Sequence, residues 1–280
     1  MNSLYYNRGR TTIVRSVTNE GTSVDMGAKL RLDKMLSHLG YGSRSEIRKY
    51  AKEGRIAVNG RKAKDSGEQV DPQKDEVVFD GALVRYREFI YLMMHKPAGV
   101  VSATEDTRDR TVVDLLAPDQ AAFEPFPVGR LDKDTEGLLL LTNDGQLAHR
   151  LLSPKKHVPK TYYADIAGLV TAEDGEAFAS GVTLDDGYVT LPATLRVLET
   201  AESGPNGPTS RIELTIVEGK FHQVKRMFEA VGKKVTYLKR LSMGALRLDP
   251  ELPLGSVREL TGEELENLRM GLPVSGQSTQ

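Results

Sequence analysis

Hydrophobic and polar positions fall into no period over the first 28 residues, where glycine, asparagine, serine and threonine are scattered. A stretch with no apolar face to bury predicts a disordered tail over 1–28, and Met26, just ahead of the first patterned segment, offers an alternative start. Pattern begins at Leu30. Leu32, Met35, Leu36 and Leu39 recur at i, i+3, i+4 and i+7, which predicts a short amphipathic helix closed by Gly40. Ser43 and Glu46 have the spacing of a capping box for a second helix, which Gly54 ends. Two hairpins follow, one turning at Asn59-Gly60 between 56–58 and 61–63, the other at Asp80-Gly81 between 77–79 and 82–84. These elements predict a small domain over 29–87.

A larger domain is expected over 88–272, with a flexible C-terminus at 273–280. The apolar run 89–94 reads as a strand entering a Lys96-Pro97-Ala98-Gly99 turn, and Thr111 with Asp114 opens a short helix. Residues 138–141 form a continuous apolar run of strand length between Gly137 and Asn143-Asp144-Gly145. Strand alternation returns at Ile212, Leu214 and Ile216. Val224, Met227, Phe228 and Val231 then mark a helix stopping at Gly232. Strands and helices mix without a steady βαβ rhythm, so the expected class is α+β, with a largely antiparallel mixed sheet flanked by helices.

Composition narrows the function. With 39% hydrophobic and 28% charged residues a sizeable core can form. No run approaches the roughly 18 apolar residues of a membrane helix. The absence of cysteine excludes disulfides, thiolate metal sites and cysteine nucleophiles, and fits a cytoplasmic protein. A net charge of −1, taken alone, argues against nucleic acid, but the charges are unevenly spread and their distribution points the other way. Residues 29–64 carry eleven basic against three acidic side chains, and 220–240 carry seven against one. Phosphate binding depends on local clusters of this kind. On the second helix Arg44, Arg48, Lys52 and Arg55 project within about 80° of one another, apart from Ile47, Tyr50 and Ala51, as a face suited to RNA. No long apolar surface stripe appears, so a monomer is expected.

The chain has no phosphate-binding loop, no GxGxxG after a strand and no GxSxG elbow. Its five histidines lack ligand spacing, which disfavours zinc. The densest signal is Gly129-Arg130-Leu131-Asp132-Lys133-Asp134-Thr135-Glu136-Gly137. A calcium loop starting at Asp132 would put Asn143 where a bidentate glutamate is required. Asp132 and Asp134 as a glycosidase pair would sit on alternate residues of an extended segment, pointing opposite ways. The third reading needs only Asp132, at the mouth of a core. There it requires a nearby cation to stay ionised, and Lys225, beside the apolar stripe of the 222–231 helix, is a candidate. From spacing alone an ordinary salt bridge explains that pair equally well.

Gly129-Arg130-Leu131-Asp132 followed by Thr135-x-Gly137-Leu138 resembles the central motif of pseudouridine synthases, in the RsuA-type branch that includes RluB, RluE and RluF. Lys96-Pro97-x-Gly99 with Ser102, Lys160-Thr161-Tyr162, Glu218-Gly219-Lys220 and 222–227 follow in the family's order. The segment from 30 through Val58-Asn59-Gly60 resembles an S4 RNA-binding domain. The resemblance implies an enzyme that flips a uridine of ribosomal RNA, free or in a pre-ribosomal particle, and isomerises it to pseudouridine without a cofactor or metal. It implies Asp132 as nucleophile, Lys225 as its basic partner and Tyr162 stacked on the target base. Arg130 would fill the gap left by that base, with Leu138 and Met227 as pocket walls. Residues 144–162 and 219–225 resemble small-subunit enzymes more than large-subunit ones. The alternatives are a large-subunit rRNA enzyme of the RluB type and a non-catalytic S4-type RNA-binding or ribosome-assembly factor.

Overall fold

The computed structural model describes residues 29–203 and 207–271, together with two short strands nearer the N-terminus, β1 (Ser3–Asn7) and β2 (Arg10–Val14), which pair antiparallel. The remainder of the expected tail over 1–28 and the expected flexible end at 273–280 lie outside the described residues. The chain divides into two compact units, Met1–Ile90 with Leu116–Pro125, and Tyr91–Leu115 with Phe126–Gln280.

In the first unit β3 (Leu30–Arg31) leads into α1 (Leu32–His38) and α2 (Arg44–Lys52). The capping box of α2 is formed as its sequence requires: Ser43 Oγ accepts from Glu46 N, and Glu46 Oε2 accepts from Ser43 N. Strands β4 (Ile56–Val58), β5 (Arg61–Lys62), β6 (Gln69–Val70), β7 (Val77–Phe79) and β8 (Ala82–Val84) follow. They give a sheet ordered β5-β4-β7-β8 and a separate β3-β6 pair. Both hairpin turns have positive φ at their two central residues, 51° and 74° at Asn59-Gly60 and 48° and 81° at Asp80-Gly81. That is the requirement of a type I′ turn. Leu32, Met35, Leu36, Ile47 and Ala51 of the two helices close a core with Ile56, Val58, Val77 and Phe79. The short helix α3 (Pro118–Ala121) also belongs to this unit, although it lies inside the stretch expected for the larger domain. Phe123 just after it sets its ring 4.7 Å from His38 of α1.

The second unit is built on one mixed sheet. Its elements are β9 (Tyr91–Lys96), β10 (Phe126–Pro127), β11 (Glu136–Thr142), α4 (Gly145–Leu152), β12 (Lys160–Ala167) and α5 (Ala172–Ser180). There follow β13 (Thr194–Ala201), β14 (Thr209–Ile216), α6 (Gln223–Ala230), β15 (Lys234–Met243), β16 (Leu246–Arg247), β17 (Val257–Glu259) and α7 (Gly262–Met270). The strand order is β13-β14-β12-β15-β11-β9-β17, with β10 on β11 and β16 on β15. Every pairing is antiparallel except β11 with β15, so the sheet is largely antiparallel as expected. β14 buries Ser210, Ile212, Leu214 and Ile216, the alternation read in its sequence. Among the described residues no helix is long and apolar enough to cross a membrane.

Candidate active site

The loop 129–135 enters β11 at the centre of the sheet. Gly137 fixes how it enters: its φ is +106°, and a Cβ there would lie 2.3 Å from Arg240 O and 2.6 Å from Arg240 N. Only glycine lets β11 approach β15 this closely. The loop itself is held from β9. Lys96, fully buried, donates from Nζ to the main-chain oxygens of Thr135 at 2.9 Å, Pro97 at 3.0 Å and Asp132 at 3.1 Å. These three shortest contacts can take the three hydrogens of an ammonium, and Lys133 O lies farther off at 3.5 Å. Burial pulls the Lys96 pKa down to about 8, against the opposing pull of Asp134, Asp132 and Glu136. Ser102 Oγ donates to Leu131 O at 2.9 Å and accepts from Leu131 N at 3.0 Å, and Gly99 N donates to Lys133 O at 2.7 Å. Thus the Lys96-Pro97-x-Gly99 motif and Ser102 act by gripping the backbone around Asp132.

The opposite wall comes from the turn before α6. Glu218, buried, accepts from Tyr188 Oη at 2.7 Å, from Leu191 N at 2.9 Å and from Gln223 Nε2 at 2.8 Å. Gln223 Oε1 accepts in turn from Lys220 N at 2.8 Å. Helix α6 buries Val224, Met227 and Phe228, and that leaves Lys225 at the edge of its apolar stripe. Lys225 Nζ lies 3.2 Å from Asp132 Oδ2. Their side chains are 20% and 26% exposed, so the pair is neither sealed in the core nor open on the surface. His222, which caps α6 in a left-handed conformation, sets Nε2 3.6 Å from Asp132 Oδ1.

Lys225 also donates to both carboxylate oxygens of Asp134, at 2.7 and 2.9 Å. The expectation that Asp132 and Asp134 point opposite ways is corrected here. The segment is a turn, with Thr135 N donating to Asp132 O at 3.0 Å, and both carboxylates reach one ammonium. Burial alone would lower the Lys225 pKa, but the hydrogen bond to Asp134 and the charge of Asp132 outweigh it and raise it. Asp134 is held below the usual carboxylate range by its hydrogen bond to Lys225.

A cleft of about 80 Å³ is lined by Arg130, Asp132 and Thr135 on one side and by Tyr162 of β12, Lys220 and His222 on others. Tyr162 is 8% exposed and Arg130 is exposed. Thr135 is buried here with its hydroxyl unpartnered. Leu138 and Met227, expected as pocket walls, are fully buried and are not among the residues that line this cleft. Leu138 belongs to the core with Met93, Leu140 and Met243, because strand pleating turns its side chain inward. A larger groove, about 610 Å³ between α5 and β13, has Glu176 as its one charged lining residue and offers no comparable chemistry.

On α2 of the first unit, Arg44, Arg48 and Lys52 are exposed as expected. Arg55 departs from that face. It pairs with Asp80, Nε to Oδ1 at 2.8 Å, and lies over the Tyr50 ring at 4.2 Å, so its charge is engaged within the fold. Sequence reasoning gave no role to Lys96, Asp134, His222 or Thr135. The available signal was a lysine ending an otherwise apolar strand, which must find buried partners.

Residues 90–230 match the family model described as RNA pseudouridylate synthase, and 30–77 match the S4 domain. The chain is 58% identical over 239 residues to an uncharacterized RNA pseudouridine synthase of Bacillus subtilis, an alignment covering 85% of this chain and 98% of that one. It is 39% identical to ribosomal large subunit pseudouridine synthase B of Bacillus subtilis, covering 85% of this chain and 95% of the relative. It is 38% identical to ribosomal small subunit pseudouridine synthase A of Yersinia pestis, covering 85% and 98%. A crystal structure of a pseudouridylate synthase superposes with a TM-score of 0.58 at 37% identity, over 85% of this chain and 99% of that one. The chain therefore belongs to the RNA pseudouridylate synthase family, as an RsuA/RluB-type pseudouridine synthase carrying an S4 RNA-binding domain.

Proposed function

We propose that this enzyme converts one uridine of small-subunit ribosomal RNA to pseudouridine, with Asp132 as the nucleophile. The observation that carries the reading is the 3.2 Å contact between Lys225 Nζ and Asp132 Oδ2 at a cleft also lined by Tyr162. Lys225 sets a positive charge directly beside the carboxylate that would attack. Tyr162 and exposed Arg130 both line that cleft, which supports Tyr162 as the ring that stacks on the extruded base and Arg130 as the side chain that enters the vacated stack. The C1′–N1 bond breaks, the uracil turns, and a C1′–C5 bond forms while C5 loses a proton and N1 gains one. Atoms and electrons balance with no co-reactant.

The preference for the small subunit rests on the likeness of 144–162 and 219–225 to enzymes of that kind. The relatives themselves leave both subunits in play, at 38% and 39% identity. Carbodiimide mapping by primer extension on rRNA from a deletion strain tests both halves of the proposal. One stop is expected to disappear from the small-subunit rRNA, and to return with the wild-type gene but not with Asp132→Asn. A stop lost from large-subunit rRNA would transfer the substrate assignment, and rescue by Asp132→Asn would end the nucleophile assignment.

A further inference from the structure

Phe221 is 69% exposed. A lone apolar side chain at the surface calls for no explanation. This one is different in how it is held and what it stands beside. Its ring stacks on the imidazole of His222, with centroids 3.8 Å apart and planes 18° apart. His222 lines the cleft and reaches to 3.6 Å from Asp132 Oδ1, so the two rings form a short column from the reacting carboxylate out to solvent. The turn that carries them is fixed. Arg226 Nη1 donates to Phe221 O at 3.3 Å, and His222 sits at φ 48°, ψ 32°, a left-handed conformation that a residue with a Cβ adopts only when its surroundings impose it. Lys220, on the other side of Phe221, also lines the cleft and sets Nζ 4.2 Å from the Tyr188 ring centroid.

We propose that the Phe221–His222 pair is a stacking platform for the nucleobase adjacent to the flipped uridine. The inference rests on the RNA-modifying reading above. When a uridine leaves the stack, the base next to it loses a partner and exposes a face. Aromatic side chains beside a cationic groove cover such faces, and they do so for any base, since every base has a π-face. The platform therefore contributes affinity and position without reading sequence. His222 ties it to the chemistry, because the ring that supports Phe221 also touches the carboxylate.

The chain contains no tryptophan, so Phe221→Trp introduces a single indole at this point. With the rRNA fragment that carries the mapped uridine, its emission is expected to be quenched on binding. The quenching should be lost when the nucleotides flanking the uridine are abasic. In steady-state assays Phe221→Ala is expected to raise KM about 5- to 150-fold, the range for losing one stacked base, with kcat little changed. Phe221→Tyr should restore KM. A wild-type KM in Phe221→Ala, or quenching that survives abasic flanks, overturns the platform. Wild-type protein that forms no pseudouridine would instead overturn the functional reading beneath it, so the two failures are distinct.

Discussion

At the scale of single residues the site turns on one ammonium shared by two carboxylates. Lys225 is closer to Asp134, at 2.7 Å, than to Asp132, at 3.2 Å, yet Asp134 is 73% exposed and Asp132 only 26%. Solvent screens the first pair more than the second, so the charge of Lys225 matters more to Asp132 despite the longer distance. Hydrogen bonds to charged groups contribute about 1.5–3 kcal/mol. On that basis Lys225→Met is expected to lower kcat by about 10- to 150-fold with RNA affinity little changed. Asp134→Asn, which leaves the ammonium to Asp132, should change kcat less than about tenfold. Single-turnover rates at saturating RNA measure both, and an Asp134→Asn loss as large as that of Lys225→Met would mean that Asp134 is the carboxylate that matters. Asp132 and Lys225 were legible in the sequence only because a family motif singled them out; spacing alone allowed a plain salt bridge. The sharing with Asp134 was not legible, because the direction of a side chain in a turn depends on hydrogen bonds to a distant strand, here those from Lys96.

At the scale of elements, β12 shows how a strand can carry both a ring that lines the cleft and an electrostatic burden. Tyr162 lines the cleft, and Lys160, two residues earlier, is half-buried with Nζ donating to Val158 O at 2.9 Å. Burial and the neighbouring charge of Arg240 push the Lys160 pKa down to about 8, and Glu218 only partly opposes them. A lysine that holds its proton less tightly when folded destabilises the fold while it is charged. That penalty is complete below about pH 8 and vanishes as pH rises through 10.5, where the unfolded chain also loses the proton. Lys160→Met also loses the bond to Val158, an offset that varies little with pH. Its melting temperature relative to wild type should therefore fall between neutral pH and about pH 10.5. A pH-independent difference would mean that Lys160 is not perturbed. Elements with a clear period were readable: α1, α2, β14 and α6 follow their apolar spacing, and both hairpins follow their turn residues. Edge strand β13 was not, because it is exposed along almost its whole length and carries no alternation. Nor was the grouping of α3 with the first unit, which depends on contacts such as Phe123 with His38 that no local pattern encodes.

At the scale of the whole molecule, a net charge of −1 coexists with RNA binding because the cations are concentrated. One concentration lies along 220–240, where Lys220 lines the cleft, and the other is the exposed face of α2 in the S4 unit. The two differ in how their charges are used. Lys225 and Arg226 near the cleft are engaged with Asp132, Asp134, Asp185 and Asp186. Arg44, Arg48 and Lys52 stand exposed on α2, while Arg55 is held by Asp80 and the Tyr50 ring. Salt dependence of binding counts phosphates neutralised, so it should depend more on the α2 cations than on those near the cleft. Each phosphate contact contributes about 0.7 to 0.9 to the slope of log K against log salt. The double substitution Arg44→Glu, Arg48→Glu is therefore expected to flatten that slope by about 1.5 and to weaken binding to rRNA most strongly at low salt. Both positions are exposed on a helix whose core contacts come from Ile47 and Ala51, so the fold should survive the change. Titrations of rRNA at several salt concentrations measure the slope directly. An unchanged slope with unchanged affinity would mean that α2 is not where the S4 unit meets RNA, and that the phosphate contacts come from the cleft side alone.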